Sequence, residues 1–582
     1  MNARVRIVVP AALASLFALT ALPAAGSESD HGQSPLGKIN HIVVIYQENH
    51  SFDNLYGGWE GVNGLANANA AHTLQVKQNG TVFACLLQND VNLANKLPAG
   101  CSDTTGTPAN TAFTSHFTNA PFQIDAYIPS SARTCPQPGA PFSAVGYPES
   151  PTNLPGGCTR DIVHRFYQEQ YQLNNGQQNR YTAGSDAVGL TQGYYDSKAL
   201  PIYRYLHQDD HPNYAIADNF FQGAFGGSFL NHQWFIAAAT PPWPGAPATQ
   251  HAIVDANGMP NNYALYKATG PVSDPAGTRA CPVSPARDPN PGLACGDYAV
   301  NTIQPTYQPT SSNPIKLPPQ TGKTIGDELS AAGVSWAWYS GGWSNAAGNV
   351  GAPGWTNGSG PTCSDPYSAA NPAYPYCPNK VFQFHHQAFN YFANYAPGTT
   401  ARAQHLRDEA EFLSMAQSST DERCNLKSVS FVKPIGLDNE HPGYTSETAG
   451  SSHLVKLLKA IEGSACAKDT LVVTTYDEFG GQWDHVAPPG QGTTAGPHDQ
   501  WGPGTRIPAL IIAPRLPSEF VVDSAQHDTT SILATIEHRF GLAPLGARDA
   551  AVKDLSTVFR AREGGDGGQD GGGGDNKPTT NS

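Results

Sequence analysis

Five apolar runs, at residues 39–46, 334–339, 428–434, 471–476 and 507–513, show little of the alternation expected of a half-exposed strand. A strand wetted on one face alternates apolar and polar positions; an unbroken apolar strand is covered on both faces, as in a parallel sheet between helical layers. Helix-like stretches lie between the runs. Thr324-Ile325-Gly326-Asp327 has the form of a capping box and predicts a helix through Ala332. Leucines at helical spacing predict another over 453–462, and Asp528 is placed to cap one running to about Phe540. The pattern as a whole predicts an α/β fold: a mainly parallel central sheet flanked by helices.

Long stretches rich in Gly, Pro and Asn interrupt that pattern at 60–160, 240–320 and 345–380. They contain four close cysteine pairs, Cys85/Cys101, Cys135/Cys158, Cys281/Cys295 and Cys363/Cys377; Cys424/Cys466 is the fifth. Neighbour pairing closes short loops, leaves no thiol over, and competes with no C-x-x-C motif. The expected organisation is one catalytic domain over 36–560 carrying long disulfide-stapled loop insertions that roof its active edge. Residues 561–582 are Gly/Asp-rich with nothing to bury, and are expected to be a disordered tail.

The N-terminus changes the compartment. Arg4 and Arg6 precede an apolar run over 7–22, then Pro23-Ala24-Ala25-Gly26, which predicts a signal peptide over residues 1–25. The run is short for a membrane span and no second one is long enough. The expected product is periplasmic or secreted, with no integral membrane segment after signal removal. The net charge is -14 and no basic block stands out, which argues against nucleic acid or anionic membranes as main partners. An anionic ligand must therefore be held by local cations.

In open α/β sheets reactive groups gather past the carboxyl ends of strands. Residues 42–46 run into Gln47-Glu48-Asn49-His50-Ser51-Phe52-Asp53, and residues 471–476 into Asp477-Glu478-Phe479-Gly480-Gly481-Gln482-Trp483-Asp484-His485. One such pair is bland, an acid solvated in a loop. Two at the ends of buried strands make Glu48, Asn49, Asp477 and Glu478 a candidate oxygen cage for one divalent metal ion. A third strand, near Tyr214, leads to Gly226-Gly227-Ser228 and then to a helix-like stretch from Trp234. Taken alone the Gly-Gly-Ser is a turn; beside a metal, Ser228 becomes a nucleophile whose helix start favours a bound anion. Gly322-Lys323-Thr324 imitates a phosphate loop, but Leu317 stands where its first glycine belongs.

These residues resemble a known family. Ile39-Asn-His-Ile-Val-Val-Ile-Tyr-Gln-Glu48-Asn49-His-Ser-Phe-Asp53 and Tyr476-Asp-Glu-Phe-Gly-Gly-Gln-Trp-Asp-His485 resemble the two terminal signatures of the bacterial phospholipase C and acid phosphatase phosphoesterases, of the alkaline phosphatase superfamily. Asp161-Ile-Val-His164, Phe384-His385-His386-Gln387, Asp438-Asn-Glu-His441 and Gly502-Pro-Gly504-Thr-Arg506 match between them. The resemblance implies an alkaline phosphatase-like fold. It assigns Glu48, Asn49, Asp477, Glu478 and Ser228 to the metal, Ser228 also as nucleophile, and His164, His385, His386 and His441 to phosphoryl oxygens or the leaving group. His50 stands where most members carry Arg, and serine replaces the usual threonine at the nucleophile, as in the acid phosphatase branch.

The expected function is metal-assisted hydrolysis of phosphomonoesters at acidic pH through a phosphoserine, on a small phosphorylated substrate. Positively charged imidazoles would supply the local cations. Phospholipase C action on phosphatidylcholine-type diesters is the alternative. A sulfatase lacks its C/S-x-P-x-R signature here, and a non-catalytic adhesin has no use for this constellation. His41 reads as a structural histidine. His485 is open between supporting the site and touching phosphate.

Overall fold

A computed structural model describes residues 35–564, apart from 89–96, 105–111, 128–160, 304–306, 356–381 and 421. The predicted signal peptide, the cysteine pairs Cys135/Cys158 and Cys363/Cys377, and residues 565–582 of the predicted tail lie outside the described residues.

Nine strands form the central sheet: β1 (His41–Gln47), β2 (Tyr214–Ala217), β3 (Trp336–Ser340), β4 (Leu406–Asp408), β5 (Val429–Lys433), β6 (Thr470–Tyr476), β7 (Ala509–Ile512), β8 (Phe520–Asp523) and β9 (Arg562–Glu563). Their order is β9-β8-β2-β7-β6-β1-β5-β3-β4. All five expected strands are present. Every residue of β6, and all but the first of β1, is buried, whichever way its side chain points, so both faces are covered.

The sheet is mainly parallel. The exception is β7, expected as one more parallel strand, which runs antiparallel to both β6 and β2. Its apolar run reports burial on two faces, which an interior antiparallel strand shares; the pattern carries no information on direction. The edge strand β9 also pairs antiparallel, with β8, two residues beyond the expected domain limit of 560.

Among the helices are α1 (Phe166–Leu173), α2 (Ser228–Ala237), α3 (Ile325–Ala331), α4 (Glu447–Glu462) and α5 (Thr530–Phe540). The capping box at Thr324 is complete, each side chain bonding the other residue's backbone N–H. Thr529 occupies the cap position of α5, while Asp528 accepts from the Thr530 N–H at 2.6 Å. Helix α4 starts well before residue 453, where Ser446 caps it. The insertions are stapled as expected where described, by Cys85–Cys101 and Cys281–Cys295, and the fifth pair, Cys424–Cys466, is bonded as well. The 240–320 insertion is fastened at its inner end to the start of α1, where Asn301 accepts from the Phe166 N–H and Asp274 pairs with Arg165.

Candidate functional site

Strands β1 and β6 are parallel neighbours, with Gln47 level with Tyr476. Glu48-Asn49 and Asp477-Glu478 therefore leave adjacent strands at the same height. The Asn49 N–H donates to Asp477 Oδ1 at 3.1 Å, closing the two ends on each other. Asn49 takes φ 61, a left-handed conformation that asparagine tolerates better than most residues. All four side chains are buried.

The third strand end brings Ser228 to the same place. Gly226 holds φ +90, and a Cβ on Gly227 would lie 2.8 Å from His164 O and 2.9 Å from the His164 ring, so this turn needs glycine twice. Gly227 is the cap residue of α2 and Ser228 its first residue, six positions before the helix-like run visible in the sequence. Asn231 locks the turn, donating to Gly226 O and Gly227 O and accepting from Ala224 N–H. Glu169 accepts from Gly226 N–H at 2.5 Å and from Thr505 and Gln222. Ser228 Oγ lies 3.1 Å from Glu48 Oε2 and 3.4 Å from Asn49 Oδ1, and is 2 % exposed. Glu48 and Asn49 thus meet the Ser228 hydroxyl, and Asp477 is tied to them through the Asn49 N–H, with Glu478 next to it in the chain.

Three buried carboxyls this close cannot all ionise unaided. Burial, then the neighbouring Asp477 charge, pushes Glu48 and Glu478 well above the carboxylate range, and burial raises Asp477 as well. Asp477 Oδ2 and Glu478 Oε1 find no hydrogen-bond donor among the described residues. Unsatisfied anionic oxygens in a dry site, together with an amide oxygen and a hydroxyl, are the donor set of a hard divalent cation. Glu48, His232 and His386 form another group close enough to share an ion. That side of Glu48 already carries a cation: Lys433 Nζ pairs with Glu48 Oε1 and donates to Tyr46 O at 3.1 Å. The oxygen set facing Ser228 is the better fit.

Lys433, the last residue of β5, and His232 were missed in the sequence. The strand-end rule that found Glu48 and Asp477 applies equally to Lys433, which closes an apolar run. His232 Nδ1 donates to Ser228 O, 2.7 Å away, and the ring stacks on His386 with centroids 5.0 Å apart.

The four predicted histidines surround this centre. His386 Nδ1 lies 3.2 Å from Glu48 Oε1, and His385 packs edge-on against His386. His164, partly exposed, lies 3.6 Å from Glu478 Oε1 and covers Gly227. His441 Nε2 lies 3.1 Å from Asn49 Nδ2, its Nδ1 against Pro442 O. The expectation of positively charged imidazoles does not hold for the buried ones. Burial lowers His385 to about 3 and carries His386, His441 and His232 well below the usual imidazole range, with Lys433 and the neighbouring histidines adding to it. The fixed cation of the site is Lys433.

Behind the site, His485 Nδ1 bonds Asp53 Oδ2 at 2.5 Å, and Arg506 pairs with both Asp53 and Asp484. Asp53, Asp484 and His485 also come close enough to hold an ion. Arg506 and His485 already occupy these carboxylate oxygens, so the network ties the two signature segments together.

The Phosphoesterase family model matches residues 39–543. Phospholipase C A of Mycobacterium tuberculosis is 24% identical over 566 residues, covering 91% of this chain and 80% of that protein. Non-specific phospholipase C6 of Arabidopsis thaliana is 32% identical over 147 residues, 22% of this chain and 28% of that one. A solved protein of the alkaline phosphatase superfamily from Vibrio parahaemolyticus aligns over 62% of this chain and 65% of its own, at 12% identity and TM-score 0.27. With the match running from the entry into β1 to just past α5, the chain belongs to the Phosphoesterase family, and phosphoric ester hydrolysis is the chemistry that membership supports.

Proposed function

We propose that the chain hydrolyses phosphomonoesters, using Ser228 as nucleophile. The observation that carries this reading is the Ser228 hydroxyl, buried at a helix start and within 3.4 Å of both Glu48 Oε2 and Asn49 Oδ1. Glu48, Asn49, Asp477, Glu478 and Ser228 would hold one divalent cation, which when bound lowers the hydroxyl's pKa and offsets phosphoryl charge. Ser228 Oγ forms a new bond to phosphorus as the ester P–O bond breaks in line, and its proton passes to an acceptor among the surrounding oxygens. The first-turn N–H groups of α2 and the N–H groups of His385 and His386 would donate to the phosphoryl oxygens. His164, at the partly exposed rim, would protonate the leaving alkoxide; water would then hydrolyse the phosphoserine.

Preference for monoesters rests on serine, not threonine, at the nucleophile. The second reading, cleavage of phosphatidylcholine-type diesters, is favoured by the relatives named phospholipase C. An exported location is part of the proposal; the bonded cysteines suit it, and no helix among the described residues is long and apolar enough to cross a membrane. Acidic operation does not follow from the buried imidazoles, which stay neutral. The deciding experiment measures kcat/KM at pH 5 on an aryl phosphate and on phosphatidylcholine with the same enzyme stock. Faster monoester turnover supports the first reading; the reverse moves the chain to the second.

A further inference from the structure

Lys433 enters no step of the reaction above, yet it is buried to 1 % exposure beside Glu48 and Asp477. It ends β5, one residue past the Val432–Ile45 pairing that ties β5 to β1, so its side chain reaches the level where Glu48 leaves the sheet. There Nζ divides its bonds between Tyr46 O and Glu48 Oε1, while Glu48 Oε2 is left to face Ser228. Burying an ammonium is costly unless each charge is compensated. A residue needed only to anchor Glu48 could be neutral; a serine, glutamine or tyrosine would donate as well. The charge itself has a use. Glu48, Asp477 and Glu478 offer a bound cation three carboxylates, and the ammonium of Lys433, paired with Glu48 Oε1, offsets one of them.

Resting on the metal-site reading above, we propose that Lys433 is a positioning residue that turns Glu48 Oε2 toward Ser228 and matches the charge of the centre to a divalent rather than a trivalent cation. A neutral side chain at this place leaves three negative charges, which reward a trivalent ion more than a divalent one. One unit of charge acting over several ångströms at an effective dielectric near 20 makes that difference about tenfold or more in relative affinity.

The test compares Ca²⁺ with Tb³⁺, two hard ions of similar size, by calorimetry and by terbium luminescence competition, on the full folded chain. The expected result is that Lys433→Gln raises the preference for Tb³⁺ over Ca²⁺ at least about tenfold, on the electrostatic scale above. Lys433→Arg should leave the ratio within about threefold on that scale, and Lys433→Gln/Glu48→Gln should return it toward the wild-type value. Glutamine keeps a donor for Tyr46 O; if that variant is unfolded by circular dichroism, the Glu48→Gln single variant reads the same balance from the other side and should lower the Tb³⁺ preference. An unchanged ratio in the folded variants overturns the proposal while leaving the metal site standing. So does an unchanged ratio with inorganic phosphate inhibition weakened tenfold or more, which would make Lys433 a phosphate contact. Wild type that binds neither ion overturns the site reading and this proposal together.

Discussion

Asn49 Nδ2 stands 3.1 Å from His441 Nε2, and the other face of the same amide turns Oδ1 toward Ser228 Oγ at 3.4 Å. The His441 ring cannot rotate to suit, because Nδ1 donates to Pro442 O at 2.8 Å and so leaves Nε2 as an acceptor. An acceptor there demands the NH₂ end of Asn49, which presents the oxygen to the metal site. Removing the partner that orients a ligand commonly costs about 10–100-fold in metal affinity. His441→Ala is therefore expected to weaken Ca²⁺ or Mn²⁺ binding by at least about tenfold, measured by calorimetry, alongside any loss of kcat. Intact affinity with a fallen kcat would mean the ring acts on the phosphoryl group itself.

Asp477→Ala separates metal binding from folding. The side chain repels Glu48 and Glu478 and finds no donor for Oδ2 among the described residues, though Oδ1 accepts from the Asn49 and Glu478 N–H groups. Its loss should strip bound metal and activity together, with little fall in the melting temperature of the metal-free protein. The rise in melting temperature that added cation gives wild type should shrink toward zero. Elemental analysis and thermal melts with and without cation decide it; retained metal in a folded variant would show the oxygen set is misassigned.

Much of the fold was legible because burial leaves a strong mark. The runs of β1, β3, β5, β6 and β7 are mostly apolar, and the Thr324 capping box fixes a helix start from four residues. The direction of β7 left no mark, since both orientations bury the same faces. Strands β4, β8 and β9 are short or polar at their ends and carried no signal. At the site, acids at strand ends pointed to Glu48 and Asp477 because carboxylates are out of place there. Lys433 obeys the same logic and was passed over, since a lysine closing a strand reads as a solvated end. The neutrality of His385 and His386 depends on burial by segments far away in sequence, which no local pattern encodes.

Stability should fall as pH rises through the neutral range. Burial raises Glu447, which accepts from Tyr195 Oη at 2.8 Å, from an ordinary 4.5 to about 8, and Glu169 to about 7. For each, the folded chain keeps a proton that the unfolded chain has released, so the contribution is full below pH 4.5 and is lost as pH rises to 7–8. A tenfold gain in proton affinity on folding is worth about 1.4 kcal/mol. In metal-free protein, urea midpoints should drop between pH 5 and pH 8, and Glu447→Gln should flatten the drop. A midpoint that rises over that interval would contradict the assignment of these carboxyls as buried acids.

Ser228→Ala should abolish turnover while sparing the fold. The hydroxyl caps nothing: Gly227 holds the cap position of α2, and Asn231 ties the turn through its own amide. Its bonds go to Glu48 Oε2 and Asn49 Oδ1, two groups that belong to the site and not to the core packing. Alanine keeps the Cβ and favours a helix start no less than serine does, so the melting temperature should stay within a few degrees of wild type. The first-turn N–H groups and the imidazoles remain, so inorganic phosphate should still bind with near wild-type affinity. The rate is another matter. Losing the nucleophile removes bond formation itself, and a fall of about 10³-fold or more, roughly 4 kcal/mol, is the expected scale. Acid-quenched wild type incubated with substrate should show phosphate on the peptide containing Ser228 by mass spectrometry, and the variant none. Residual activity above about a tenth of wild type lies far outside that scale, and would require water, not Ser228, to attack phosphorus.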